Sequence, residues 1–447
     1  MKKILIFLCA CTFLLGCDSK GSEEKEESWF GEAKDIDPDG EPITFLTYNL
    51  FHIYTINDLE KFPVADASRA ERVDLLIKEI KGFGSRAPTF ILLQEAFHNE
   101  TRAKIVDELS EMYGTINHNR ANTNSGTKFG SGLVTLYHKD RATPIPGGAL
   151  FEEFSIAVSE LPEIQYATKG VLAARFEVSD LKIEVFNTHL SSIDSTGNTR
   201  ERQAKYIKKM MARRQAEKPM DSQILGGDLN TDKYDEDGEI QAPLEALLDG
   251  SVEGFAMLDM VSDKAKFGDM ATWNPRNPLV ELSKWPLSRA EVLDYFYVNP
   301  GEEERCQPDK KASQLFFTSL YPLKTLTPLV IGREAIRKKA MDTLKNYALD
   351  EDAFKKYRIK GPQTTATTVW IWDEDQTGAA DYPPKDVRDA IDRFLVFTPV
   401  KDVDFSDLNQ LEFKFQKDAA GVPLAPLSDH YGVWAAVVCS GVRGALP

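Results

Sequence analysis

Beyond its first fifteen residues the 447-residue chain has no apolar run long enough to cross a bilayer as a helix, which excludes a bundle of spanning helices. It has no internal repeat, so a solenoid or propeller is not expected. Basic residues are in deficit, with 54 Lys and Arg against 70 Asp and Glu and a formal net charge of −16. That balance argues against broad nucleic-acid binding, which needs a basic face to neutralise phosphates, although a local basic groove can sit on an acidic protein. Cysteine is scarce too. Of five, Cys9, Cys11 and Cys17 lie at the amino end, leaving Cys306 and Cys439 in the body of the chain. Their spacing leaves a bridge and two separate thiols equally open.

The amino end reads MKKILIFLCACTFLLGCDSK, two lysines followed by an apolar run from Ile4 to Leu15. This is the anatomy of a secretory signal, and Leu14-Leu15-Gly16-Cys17 resembles a bacterial lipobox. The expectation is cleavage before Cys17, lipid on that cysteine, and an exported lipoprotein held at a membrane in the periplasm or on the cell surface. Residues 18–42 are acidic and rich in Ser, Gly and Glu, too poor in apolar side chains to form a core, and are expected to be a tether. An exported chain also permits a disulfide.

Residues 43–447 alternate strand and helix patterns. Period-two or continuous apolar runs mark strands at Ile43–Leu50, Thr89–Ala96, Gly132–His138, Gly170–Val178, Lys182–Leu190, Ser222–Leu229, Glu291–Val298, Asp392–Phe397 and Tyr431–Val438. Helical spacing marks Arg72–Phe83, an amphipathic stretch from Thr101 to Tyr113, and a basic helix over Thr199–Gln215. Runs of adjacent strands exclude strict βα alternation and point to antiparallel pairing with helices on the outer faces. The texture changes over about 299–389, which is expected to be an insertion. Within it, Ser313–Arg333 is apolar enough either to join a core or to touch a bilayer.

Several of these strands begin or end in polar residues that a strand terminus does not need. Asn49 ends LTYN, Glu95 ends ILLQE, His189 ends FNTH, and Asp228 with Asn230 ends ILGGDLN. Asp294 lies inside EVLDYF, and Asp429-His430 directly precedes YGVWAAV. Singly, each is explained as a turn residue or a first exposed position. Together they fit a shared site, because strand tips on one side of a sheet converge. Of six histidines only His189 and His430 fall in such positions; His52, His98, His118 and His138 read as surface or loop residues, with His52 and His98 near enough to these strands to line the cleft as the alternative.

The ordered set TYN, QE, NTHL, GDLN, LDY and SDH resembles the endonuclease/exonuclease/phosphatase superfamily of metal-dependent phosphodiesterases. ATWN (Ala271–Asn274) upstream of AEVLDY, TKGVLAARF (Thr168–Phe176) and SDHYGV (Ser428–Val433) resemble its bacterial neutral sphingomyelinase-like branch. The resemblance implies a four-layer sandwich of two packed, largely antiparallel β-sheets flanked by helices. It implies Mg²⁺, with Mn²⁺ or another divalent ion as a substitute, held by Glu95 with Asn49, Asp429 and Asp228. His430 would activate water, Asp294 orient its ring, His189 stabilise a phosphate oxygen, and Asp228 and Asn230 position water, phosphate or a second ion. A hard cation with oxygen ligands offsets phosphate charge, and a histidine titrates near neutrality, so these residue types suit the chemistry. The implied reaction is hydrolysis of a phosphodiester, foremost sphingomyelin to ceramide and phosphocholine, by a monomer at a membrane surface, with no nucleic-acid partner. The alternatives are a nuclease or another phosphoesterase of the superfamily, and, remotely, a non-catalytic surface binder. An inositol-phosphate specificity lacks its usual basic residue, since Thr231 and Asp232 follow Asn230.

ILGGDLNTDKYDEDGE (Ile224–Glu239) also resembles an EF-hand calcium loop beginning at Asp228. That parse needs glycine at the sixth position, where Lys233 stands, and a helix where Ile224-Leu225 continues a strand. In the helix after NTHL, Arg200, Arg202 and Gln203 are expected on a solvated basic face, or one arginine approaches phosphate.

Overall fold

The computed structural model describes residues 42–51, 63–117, 130–154, 167–192, 198–232, 240–250, 255–260, 293–301, 305–310, 312–316, 318–332, 351–360, 370–380 and 416–440, with short pieces between them. Cys17, His52, His118, Trp273, Glu239 and the expected strand at Asp392–Phe397 lie outside the described residues.

Two sheets of seven strands face each other. The first contains β1 (Ile43–Asn49), β2 (Phe90–Gln94), β3 (Tyr113–Asn117), β4 (Val134–His138), β12 (Cys306–Pro308), β13 (Gln314–Phe316) and β18 (Gly432–Cys439). Its order is β12-β18-β1-β2-β4-β3, with β13 also paired to β18. The second contains β5 (Thr143–Pro144), β6 (Leu150–Glu153), β7 (Gly170–Val178), β8 (Leu181–His189), β9 (Ser222–Asp228), β10 (Leu258–Asp259) and β11 (Asp294–Asn299). Its order is β10-β11-β9-β8-β7-β5, with β6 also on β7. One pair in each sheet is parallel, β1 with β2 and β8 with β9, and the remaining pairs are antiparallel. Two short pairs complete the described strands, β14 (Tyr321–Pro322) with β17 (Leu424–Ala425) and β15 (Arg358–Lys360) with β16 (Trp370–Trp372).

The unbroken apolar runs of the second sheet follow from burial on both faces. Along β11, Phe296 and Val298 enter the core between the sheets with Phe45, Phe90, Phe176 and Ile183. The alternate residues Tyr295 and Tyr297 pack outward against Ile207, Met210 and Met211 of the helix α3 (Thr199–Glu217). A one-residue slip would exchange those faces, so the pattern fixes the register. Gly226 and Gly227 meet separate demands. A Cβ on Gly226 would stand 2.3 Å from the Phe296 ring and 2.7 Å from Leu92 of the other sheet. Gly227 has φ 149°, and its Cβ would lie 2.0 Å from the Thr188 carbonyl oxygen.

The helix α1 (Pro63–Gly82) begins nine residues before the expected Arg72 start, and α2 (Asn99–Glu108) accounts for the amphipathic stretch. In the segment expected to be an insertion, β12 and β13 hydrogen-bond to β18, so its first part is built onto the main sheet. Cys306 and Cys439 are register partners there and form a disulfide with Cα atoms 4.1 Å apart. Leu323, Leu326 and Val330 are fully buried with Leu279 and Ala425, so part of Ser313–Arg333 joins a core, while Leu320 and Ile331 stay exposed. No helix among the described residues is long and apolar enough to cross a membrane.

Candidate active site

The topology gathers the polar strand tips. In the second sheet, His189, Asp228 and Asp294 are consecutive register partners, one row across β8, β9 and β11. In the first, Asn49 closes β1 opposite Gln94 of β2, and Glu95 is the next residue. Because β18 runs antiparallel to β1, the Asp429-His430 pair that precedes it arrives at the same end. Glu95, Asn230 and Phe51 adopt left-handed backbone with φ 55°, 47° and 52°. Non-glycine residues in that region cost about 1–3 kcal/mol each and cluster at functional sites.

His430 is buried, and its Nδ1 lies 2.9 Å from Asp294 Oδ2. That bond assigns the other ring nitrogen, Nε2, to the cleft, 3.8 Å from Asp228 Oδ2. Burial works against the imidazolium, but Asp294, Asp429 and Asp228 outweigh it and hold the His430 pKa well above its ordinary value. Burial pushes the Asp294 carboxyl up to about 6, against the pull of His430. Asp228 Oδ2 accepts from Asn49 Nδ2 at 2.9 Å and its Oδ1 from the Asn230 backbone N–H at 2.8 Å. Burial works against its charge, but His430 and these two bonds outweigh that, so its pKa is lowered. His189 goes the other way: burial, then Lys169, presses its pKa down to about 3. It is therefore a neutral imidazole. Its Nε2 stands 3.6 Å from Asp228 Oδ2 and 3.9 Å from Glu95 Oε1, too far for hydrogen bonds to either.

Glu95 and Asp429 form the other wall. Both are partly exposed, with the Glu95 side chain 14 % accessible, so the site opens to solvent here. Burial, then the Asp429 and Asp228 charges, push the Glu95 pKa up to about 8. Burial also raises Asp429, opposed by His430 and Arg72. Glu95 Oε2 is enclosed with no hydrogen-bond partner among the described residues. A carboxylate oxygen in that state is missing a proton or a cation.

Residues 46–309 match the profile of the Endonuclease/Exonuclease/phosphatase family. The chain belongs to this family. Solved structures similar to it include SmcL, at 15% identity and TM-score 0.48, covering 89% of this chain and 99% of that one. Beta toxin from Staphylococcus aureus is 16% identical at TM-score 0.45, covering 63% of this chain and 94% of that one. Truncated Caenorhabditis elegans TDP2 is 13% identical at TM-score 0.47, covering 90% and 100% respectively. No curated protein matches the chain in sequence.

Enzymes of the Endonuclease/Exonuclease/phosphatase family use divalent metals, and the donor set here fits one. Glu95, Asp429 and Asp228 are oxygen ligands of the kind a hard cation prefers, their charges repel one another, and one Glu95 oxygen has no other partner. Asp228, Asp294 and His430 also bring ligand atoms within 4.8 Å of one another. In that second set the Asp294–His430 hydrogen bond already engages two members, whereas Glu95 Oε2 has no partner among the described residues. Asn49 contributes less directly than its motif implies. Its Oδ1 accepts the Phe51 N–H at 3.0 Å and its Nδ2 serves Asp228, which leaves one lone pair for a cation.

The remaining expected residues sort clearly. Asn230 Nδ2 donates to the Leu190 carbonyl at 3.1 Å, tying its loop to the one after β8. Arg200 and Gln203 are buried rather than solvated. Arg200 donates to the Ser191 and Ser192 carbonyls, and Gln203 Oε1 accepts the Ser191 N–H, so both shape the loop beyond His189. Arg202 is exposed. His98 caps α2, accepting from the Thr101 N–H, and His138 packs edge-on against Tyr113. Three contributors escaped sequence reasoning. Lys169 is a buried ammonium donating to Leu190 O at 2.8 Å, close enough to bias Glu95 and His189. Thr272 receives the backbone N–H groups of Leu293 and Asp294. Arg72 reaches the site from α1. A lysine opening an apolar strand in TKGVLAARF was the available signal for the first.

Proposed function

We propose that this chain is a divalent-metal-dependent phosphodiesterase whose substrate is sphingomyelin, cleaved to ceramide and phosphocholine. The observation that carries the hydrolytic part is the buried Asp294–His430 pair, with its free Nε2 turned toward Asp228 beside the Glu95 carboxylate. In this reading His430 is neutral once the Asp429 and Asp228 charges that hold it protonated are offset by a cation, and its Nε2 accepts a proton from water as the water oxygen bonds to phosphorus. The bond from phosphorus to the ceramide oxygen breaks, that oxygen takes a proton from solvent water, and His430 returns its proton to solvent. Asp294 keeps the ring oriented, and neutral His189 offers an N–H to a non-bridging phosphate oxygen. Glu95, Asp429 and Asp228 would hold a Mg²⁺ ion, which would supply positive charge against the phosphate.

The head-group preference is supported by the branch-like stretches ATWN, TKGVLAARF and SDHYGV, each of which contributes a residue around the site: Thr272, Lys169, and Ser428 with His430. The net charge of −16 disfavours a polyanionic substrate. The reading places the enzyme at a membrane surface through lipid on Cys17, supported by the Leu14–Cys17 stretch.

The test is a panel of sphingomyelin, phosphatidylcholine, plasmid DNA and phosphoinositides, offered to protein beginning after Cys17 with Mg²⁺ or with EDTA. Phosphocholine release from sphingomyelin, lost in EDTA and in His430→Ala, is expected. Cleavage of DNA with sphingomyelin untouched overturns the lipid assignment.

A further inference from the structure

We infer that Arg72 is a positioning residue for this site, a brace from α1 that fixes the backbone carrying Asn49 and the backbone carrying Asp429-His430 relative to each other. The inference rests on the metal-dependent reading above. Arg72 is completely buried. Its Nη1 donates to the carbonyls of Leu50 at 2.9 Å and Leu427 at 2.7 Å, its Nη2 to that of Phe51 at 2.8 Å, and its Nε to Ser68 Oγ at 3.0 Å. Leu50 and Phe51 follow Asn49, and Leu427 precedes the Ser428-Asp429-His430 turn. One planar guanidinium therefore joins two segments from opposite ends of the chain, each within three residues of a site side chain.

The consequences can be traced atom by atom. Phe51 sits at φ 52°, with its ring centroid 5.6 Å from the guanidinium carbon. Held there, its N–H donates to Asn49 Oδ1, which turns the amide so that Nδ2 meets Asp228. On the other segment, Ser428 Oγ donates to the Asn49 carbonyl at 2.6 Å and accepts the His430 N–H at 3.2 Å. Arg72 thus closes a ring of contacts through Asn49, Asp228 and the Ser428 turn. A lysine cannot reproduce it, because the task needs several donors in a fixed planar fork. Burial lowers the guanidinium pKa to about 10, which leaves it charged at neutral pH. A buried charge is a costly way to fill a core, so its place between two site segments requires a reason beyond packing.

The test compares Arg72→Lys and Ser68→Ala with wild type, using calorimetric Mn²⁺ titration, steady-state kinetics and urea unfolding. Arg72→Lys is expected to weaken Mn²⁺ binding by about 10- to 100-fold. Its kcat should fall about 10²-fold with KM little changed, as misplacement of reacting groups does. Ser68→Ala removes one hydroxyl that orients the guanidinium and should weaken Mn²⁺ binding in the same direction by about fivefold. Guanidinium ion added to Arg72→Ala should restore part of the binding. Variants that lose stability yet bind Mn²⁺ and turn over like wild type reduce Arg72 to a core staple. If Arg72→Lys does not fold, unchanged Mn²⁺ affinity in Ser68→Ala overturns the inference by itself. Wild type that binds Mn²⁺ but hydrolyses no phosphodiester defeats the functional reading and leaves the affinity comparison to decide on Arg72.

Discussion

Asp294 Oδ2 lies 2.9 Å from Nδ1 of His430, although 136 residues separate them in sequence. The bond makes Nδ1 the donor to Asp294 and turns Nε2 to the cleft. Replacing Asp294 by Asn preserves shape while removing the charge that fixes this tautomer. Asp294→Asn should lower kcat by about 10²- to 10⁴-fold, the range of general-base catalysis. KM should stay within a few-fold. A raised KM at constant kcat would instead assign Asp294 to substrate binding.

Glu95 makes metal binding pH-dependent. Its pKa in the metal-free fold is about 8 against an ordinary 4.5, so near neutrality it holds a proton that a cation must displace. Calorimetry in two buffers of different ionisation enthalpy should show proton release at pH 7, and apparent affinity should rise with pH up to about 8. The stability sign follows from the same raised value. The folded state binds the proton more tightly, so this contribution is complete below about pH 4.5 and is lost as pH rises through about 8. In EDTA the midpoint of unfolding should fall across that window, and Mg²⁺ should remove the slope. Glu95→Gln should remove the Glu95 share of both effects and leave the slopes that Asp294, Asp429 and His430 contribute.

The positions of Asn49, Glu95, His189, Asp228, Asp294 and His430 were legible because strand tips advertise themselves: an apolar run stops abruptly at a group that carries chemistry. That they converge followed from order and resemblance, and the register row His189, Asp228, Asp294 gives the physical reason. The strand Ser222–Asp228 also removes the EF-hand parse, which needs a helix before Asp228. What stayed hidden are residues whose role lies in their backbone partners. Arg72 sits in an ordinary charged helical stretch, and nothing in ASRAERVDLL tells that its guanidinium turns inward to three carbonyls. Arg200 misled for the same reason, since a basic helix face looks solvated until the loop it holds is placed. The Cys306–Cys439 bridge was open because pairing depends on strand register, which cysteine spacing does not encode.

That bridge closes a chain segment with a sequence separation of 133. Loop-closure entropy for such a length gives at most about 5 kcal/mol of stabilisation. Cys306→Ser with Cys439→Ser should lower the urea midpoint substantially, and a reductant should do the same to wild type. The bridge lies at the far end of β18 from His430, roughly 30 Å away at strand rise. Turnover of the folded double variant at low temperature should therefore match wild type. A large loss of kcat at full folding would show that the bridge also shapes the site.

Thr272 offers the sharpest separation of fold from chemistry. Its hydroxyl accepts the N–H groups of Leu293 at 2.8 Å and Asp294 at 3.2 Å, while its carbonyl accepts that of Tyr431 at 2.6 Å. One buried residue thus contacts the backbone on both sides of the Asp294–His430 bond. With both lone pairs used, its hydroxyl hydrogen is left for the Asp294 carboxylate, whose pKa that bond lowers against burial. Thr272→Val keeps the shape, removes the hydroxyl, and strands two buried N–H groups at about 1–3 kcal/mol each. It should lose stability of that order and also lower kcat, because Asp294 is no longer held against His430. Thr272→Ser restores the hydroxyl and should recover turnover even where the missing methyl leaves it less stable. If Thr272→Val is destabilised but its kcat equals that of wild type, the hydroxyl builds the fold and does not serve the reaction.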